Sequence, residues 1–80
     1  MTKHQIIEWL INWFSKKNNL STYKDLNSIN FLEEDLIDSL GLTHLIVEIE
    51  TQLNIRFTYD DFQNPKFSTI NGLADIIISK

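Results

Sequence analysis

Residues 30–53, NFLEEDLIDSLGLTHLIVEIETQL, decide how this chain is read. Behind Asp38-Ser39, at the middle of the chain, Leu42, Leu45, Ile46, Ile49 and Leu53 recur at the three- and four-residue spacing of one helical face. The pattern predicts an amphipathic helix from Ser39 to near Asn54, with those five residues inward and Thr43, Glu48, Glu50 and Gln52 nearer water. The first turn of a helix has backbone N–H groups with no intrahelical acceptor, and a serine there lies beside a site that favours a phosphate. Serine at that place also serves as an ordinary helix cap, which is the structural alternative.

Upstream, Thr2 followed by Gln5 is a capping-box signal. Ile6, Leu10 and Trp13 with Ile7, Ile11 and Phe14 then form a broad apolar face that predicts a first helix to about Lys17, ended by Asn18 and Asn19. The stretch from Leu20 to Asp38 has no sustained period but carries Leu20, Tyr23, Leu26, Ile29, Phe31, Leu32, Leu36 and Ile37. A connection so rich in apolar anchors reads as pinned across a bundle, with room for one short helical turn.

Downstream, Thr58 is placed to cap a brief helix from Tyr59 to about Phe62, which Pro65 prevents from continuing. Ser68 or Thr69 is placed to cap a last helix with Ile70, Leu73, Ala74 and Ile77 inward and Gly72 as a local weakness. The expected fold is all-α: one domain over residues 1–80, a small four-helix bundle of three longer helices and one short one, with a long loop between helices one and two.

Composition narrows the function. Eighty residues, 42% of them apolar, can close one thin core but leave no room for a deep enzyme cleft, and with no cysteine there is no disulfide support. A net charge of −4 disfavours nucleic acid. The apolar run Ile6–Phe14, broken by Glu8 and Asn12, is too short to span a bilayer, so a soluble, cytoplasmic monomer without membrane insertion is expected. Lys3, Lys16, Lys17 and Lys24 face only Glu8 in the first 24 residues, whereas residues 31–61 hold eight acidic residues against Arg56. That acidic half surrounds Ser39 and is expected to steer partners with basic docking surfaces.

The same residues fit other chemistry poorly. His4 and His44, without cysteine, make a poor zinc set, and no metal ligand is expected. Asp38, Ser39 and His44 do not make a hydrolytic triad, because adjacent Asp and Ser point apart and no glycine-rich oxyanion loop is present. Asp60-Asp61 with Asn64 lacks the ligand pattern of a calcium loop. Trp9, Trp13 and Phe14 read as core, and so do Ile46, Ile49, Phe57 and Phe62, which are also placed to line a pocket for an acyl chain.

The stretch from Asn30 to Leu53, with Ile37–Leu42 spelling I-D-S-L-G-L, resembles the phosphopantetheine attachment region of acyl and peptidyl carrier proteins, above all the small free-standing ones. The resemblance implies an acyl-carrier-protein-like bundle bearing 4'-phosphopantetheine, taken from coenzyme A, on Ser39. It implies partner recognition through Asp38, Leu40, Leu42, His44 and Glu48, and no catalytic residue of the chain's own. The implied partners are a phosphopantetheinyl transferase, an acyl- or aminoacyl-activating adenylate-forming ligase, and a downstream acyltransferase, synthase or condensing enzyme of lipid, polyketide or nonribosomal-peptide biosynthesis.

Two departures from that pattern matter. Similar carriers often read E-E-G-x-I-D-S-L, and Asp35 stands here in the glycine's place; aspartate tolerates the positive φ that such a turn needs. His44 stands where relatives often have glutamate, which favours a dedicated partner and a small acyl or aminoacyl cargo. The alternative reading is a small unmodified helical module for protein–protein interaction.

Overall fold

The computed structural model describes residues 1–16 and 28–80. The expected end of the first helix at Lys17, Asn18 and Asn19, and the anchors Leu20, Tyr23 and Leu26, lie outside the described residues. Within them the fold is all-α: α1 (Lys3–Ser15), α2 (Ser39–Leu53), the short α3 (Tyr59–Gln63), a 3-10 segment (Pro65–Ser68) and α4 (Ile70–Ile78).

Local signals set most of these boundaries. Thr2 and Gln5 close a reciprocal capping box on α1, with the Gln5 N–H donating to Thr2 Oγ1 at 3.2 Å and the Thr2 N–H to Gln5 Oε1 at 2.9 Å. Asn54, at φ 55° and ψ 49°, ends α2 in the left-handed conformation that asparagine tolerates. Thr58 and Asp61 form a second capping box at α3. Pro65 opens the 3-10 segment, which the sequence reading did not anticipate. Thr69 rather than Ser68 caps α4, accepting from the Gly72 N–H at 2.9 Å. Ser68 instead donates to the Pro65 carbonyl at 3.1 Å.

The core joins all the longer helices. Ile6, Leu10 and Phe14 of α1 and Ile70, Leu73 and Ile77 of α4 are buried, as are Leu45 and Ile49 of α2, with Leu42, Ile46 and Leu53 packed at its margin. Phe31, fully buried, meets Phe14 with ring centroids 4.9 Å apart. This contact pins the connection across the bundle. Asn30 secures the same spot by pairing with Thr69 as an isolated bridge, and the Phe31 N–H donates to the Ser68 carbonyl at 2.9 Å. A second aromatic cluster, Phe57, Phe62 and Phe67, joins α3 to the 3-10 segment with centroids 5.3–5.9 Å apart.

Gly72 is a requirement of the packing and not the local weakness expected. A Cβ there would stand 2.2 Å from the Lys66 carbonyl oxygen, so only glycine lets α4 approach the 3-10 segment. Lys80 reaches back to α3, its ammonium 2.5 Å from Asp61 Oδ2. The Lys80 hydrogen bond, together with the Thr58 N–H, holds the Asp61 carboxyl below its ordinary pKa; partial burial opposes them and is outweighed.

Two outcomes follow from this packing. In Gly72→Ala, overpacking costs about 1–3 kcal/mol, while alanine's better helix propensity returns about 1 kcal/mol. The obstructing atom is backbone, so the clash wins and the urea midpoint falls. Asp61 contributes stability above its unfolded-state pKa that is lost as pH falls through its lower folded value, below about pH 4. Asp61→Asn therefore flattens that part of the stability–pH curve, measured by thermal unfolding across an acid series.

Candidate functional site

Two acceptors organise the approach to α2. The Asn30 side chain accepts from the Leu32 and Glu33 N–H groups at 3.1 and 3.0 Å and donates to Ser68 Oγ at 3.2 Å. The Asn30 carbonyl takes the Glu34 N–H at 3.0 Å. This turn ends at Asp35, whose φ of 55° lies in the left-handed region that the sequence comparison with glycine implied. Leu36 and Ile37 then pack against the core and hand the chain to Asp38.

Asp38 is the N-cap of α2. Its backbone is extended, its Oδ1 accepts from the Gly41 N–H at 2.6 Å, and its carbonyl takes the first helical bond from the Leu42 N–H at 2.8 Å. Ser39 is thereby the first helical residue and not the cap. Its side chain is exposed and its hydroxyl has no partner among the described residues. The Ser39 and Leu40 N–H groups likewise have no acceptor among those residues. An exposed primary hydroxyl beside two unengaged amides at the positive end of a fifteen-residue helix suits an attached phosphodiester.

Gly41 contributes what the sequence reading overlooked. A Cβ at this position would lie 3.0 Å from both Asp38 Oδ1 and Ile37 Cγ1, so glycine lets the cap close on the helix. The signal was present as a glycine three residues after an aspartate, where a short cap bond needs space.

The recognition residues expected from sequence separate into two groups. Leu40 is 66% exposed and His44 is exposed, both on the side of α2 open to solvent near Ser39. Leu42 packs at the core margin. Glu48 accepts a hydrogen bond from the Trp13 indole and so ties α2 to α1. Glu50, half-buried, accepts from the Phe57 N–H at 3.0 Å. Both carboxylates of α2 thus have partners within the chain, and its outward surface carries Leu40, Thr43, His44, Val47, Glu48, Thr51 and Gln52. The exposed acidic residues nearest Ser39 are Asp38 itself and Glu33, Glu34 and Asp35 of the preceding turn.

Asp38 is directed to the Gly41 amide and orders the turn beside Ser39, while the residue itself stays exposed. Among the described residues no group of three or more His, Cys, Asp or Glu is gathered for a metal ion.

A family model described as the phosphopantetheine attachment site matches residues 14–77. No curated protein matches the chain.

The division of labour between Asp38 and Ser39 is open to measurement. Asp38→Ala removes the cap and costs about 1 kcal/mol of stability. Ser39→Ala changes stability by no more than about 0.5 kcal/mol, as for a surface position without partners. Equal losses in urea denaturation would assign capping to the serine as well.

Proposed function

The chain belongs to the phosphopantetheine attachment-site family, and from that premise we propose that Ser39 is the residue esterified by 4'-phosphopantetheine. In this reading residues 1–80 act as one carrier unit that shuttles acyl or aminoacyl groups as thioesters between biosynthetic enzymes. The observation that carries the proposal is the Ser39 hydroxyl, exposed at the first turn of α2 and released from capping by Asp38.

The residues have distinct tasks in this scheme. Ser39 Oγ attacks the pyrophosphate of coenzyme A within a transferase, which supplies the base and releases the nucleotide half. The free amides of Ser39 and Leu40 and the dipole of α2 then stabilise the phosphodiester charge. Asp38 cannot attract that charge, and its contribution is a fixed turn. When attached, the arm supplies a terminal thiol for thioester formation, and tethering makes each transfer effectively intramolecular. The carrier supplies no acid or base of its own.

Leu40 and His44 are the residues best exposed to meet the transferase, an adenylate-forming acyl- or aminoacyl-activating ligase, and a downstream acyltransferase, synthase or condensing enzyme. Glu48, exposed and bonded to the Trp13 indole through one oxygen, keeps its other oxygen for a partner. His44, exposed on α2 where similar carriers often have glutamate, supports dedicated partners and small acyl or aminoacyl cargo within lipid, polyketide or nonribosomal-peptide biosynthesis. Among the described residues no helix is long and apolar enough to cross a membrane.

Incubation of the folded protein with coenzyme A and a broad-specificity transferase, followed by intact-mass measurement, tests the assignment. A single phosphopantetheinyl mass gain is expected, absent in Ser39→Ala. Folded wild-type protein that gains no mass would instead support a noncovalent interaction module.

A further inference from the structure

Ser39, Thr43, Ile46 and Glu50 follow one another at four-, three- and four-residue steps, so they lie along one flank of α2. Where that flank reaches Asn54, the left-handed residue turns the chain and brings Ile55 and Arg56 alongside it. The result is an open groove of about 370 Å³ lined by Val47, Glu50, Thr51, Asn54, Ile55 and Arg56. Val47 lies eight residues beyond Ser39, which at 1.5 Å per residue is about 12 Å along the helix. The pantetheine chain contains two amide units and further linking carbons; extended like backbone, it spans more than that distance.

The chemistry of the groove is set by which charges are already engaged. Glu50 keeps its negative charge and accepts from the Phe57 N–H through one oxygen at 3.0 Å, which fixes that carboxylate on the side of Phe57 and leaves Arg56 as the groove's cation. Arg56 is exposed and has no ion pair or hydrogen bond among the described residues. An unengaged guanidinium offers a planar fork that matches a carboxylate through two parallel hydrogen bonds. Leu45 and Ile49 of the same helix are fully buried, and Phe57 and the partly exposed Phe62 pack on the buried Phe67.

We infer that this groove receives the end of the arm with short cargo terminating in a carboxylate, held by the Arg56 guanidinium. The inference rests on attachment at Ser39 and deepens it by naming a cargo class. Arg56 acts as a binding residue with no part in forming or breaking the thioester. An exposed arginine–carboxylate contact favours the docked cargo by roughly two- to five-fold, which an equilibrium measurement resolves.

The apo protein is loaded by a transferase from succinyl- and, separately, butyryl-coenzyme A, which differ in the terminal carboxylate. Intact mass establishes loading, and backbone amide chemical shifts report where each cargo sits. Succinyl cargo is expected to shift the Val47, Asn54 and Arg56 amides at least roughly two-fold more than butyryl cargo. Arg56→Gln should reduce the succinyl shifts to the butyryl level, and Arg56→Lys should retain part of them. Raising ionic strength from about 0.1 to about 1 M should weaken the succinyl response selectively. Equal shifts for both cargoes, or succinyl shifts that survive in Arg56→Gln, would overturn the groove assignment while leaving Ser39 intact. Failure to gain mass at all would overturn the Ser39 assignment beneath it.

Discussion

A 2.6 Å hydrogen bond from the Gly41 N–H to the Asp38 carboxylate governs what Ser39 is free to do. Helices need an acceptor for their first amides, and a serine at the boundary commonly supplies it with its own hydroxyl. Here the aspartate one residue earlier takes that role, and Gly41 leaves the space for it to do so. The serine is therefore held in position by its backbone while its side chain remains uncommitted. A hydroxyl engaged as a cap would have to break its bond before reacting, whereas this one meets water and any visiting enzyme directly.

That cap needs a fixed approach, and residues distant in sequence provide it. Phe31 is buried against Phe14 of α1, and Asn30 is bound to Ser68 and paired with Thr69 just ahead of α4. The same Ser68–Thr69 corner is kept close to α4 by the missing side chain of Gly72. The start of α2 is thus positioned by the junction between the 3-10 segment and α4. Substitutions at that junction act on Ser39 through the turn at Asn30, without any contact with the serine itself.

Features encoded within a few consecutive residues were legible from the chain alone. The bounds of α2, the capping box of Thr2, the cap at Thr58 and the positive φ at Asp35 all follow from local rules of spacing and backbone preference. What was not legible depends on partners far along the chain. Gly72 resembled a helix defect because the Lys66 carbonyl that requires it belongs to a 3-10 segment the sequence pattern did not reveal. The Glu48 bond to Trp13 was not legible because nothing in its neighbourhood signals an indole thirty-five residues earlier. Likewise, neither Asp61 nor Lys80 carries a local sign that they will meet. The place of Ser39 at the start of α2 was readable because it rests on spacing within one turn, while its freedom from capping required the coordinates.

The distribution of engaged charge alters the electrostatic picture drawn from composition. Eight acidic residues between residues 31 and 61 suggest a uniformly negative field around the serine. Glu48 and Glu50 instead satisfy an indole and a backbone amide, and Asp61 is paired with Lys80. A carboxylate retains its charge when hydrogen-bonded, but its position and its lone pairs are then fixed by the protein and less available to a partner. Exposed negative charge near the site is concentrated in the turn that precedes α2, while the helix beyond Ser39 presents Leu40, Thr43, His44 and Val47 before its first exposed carboxylate, Glu48. Long-range attraction therefore acts chiefly at the helix entrance, and short-range apolar contact along its length. A partner with basic residues opposite the turn and an apolar patch opposite Leu40 and Val47 would match both parts, and its orientation would be set by the order in which the two occur along the chain.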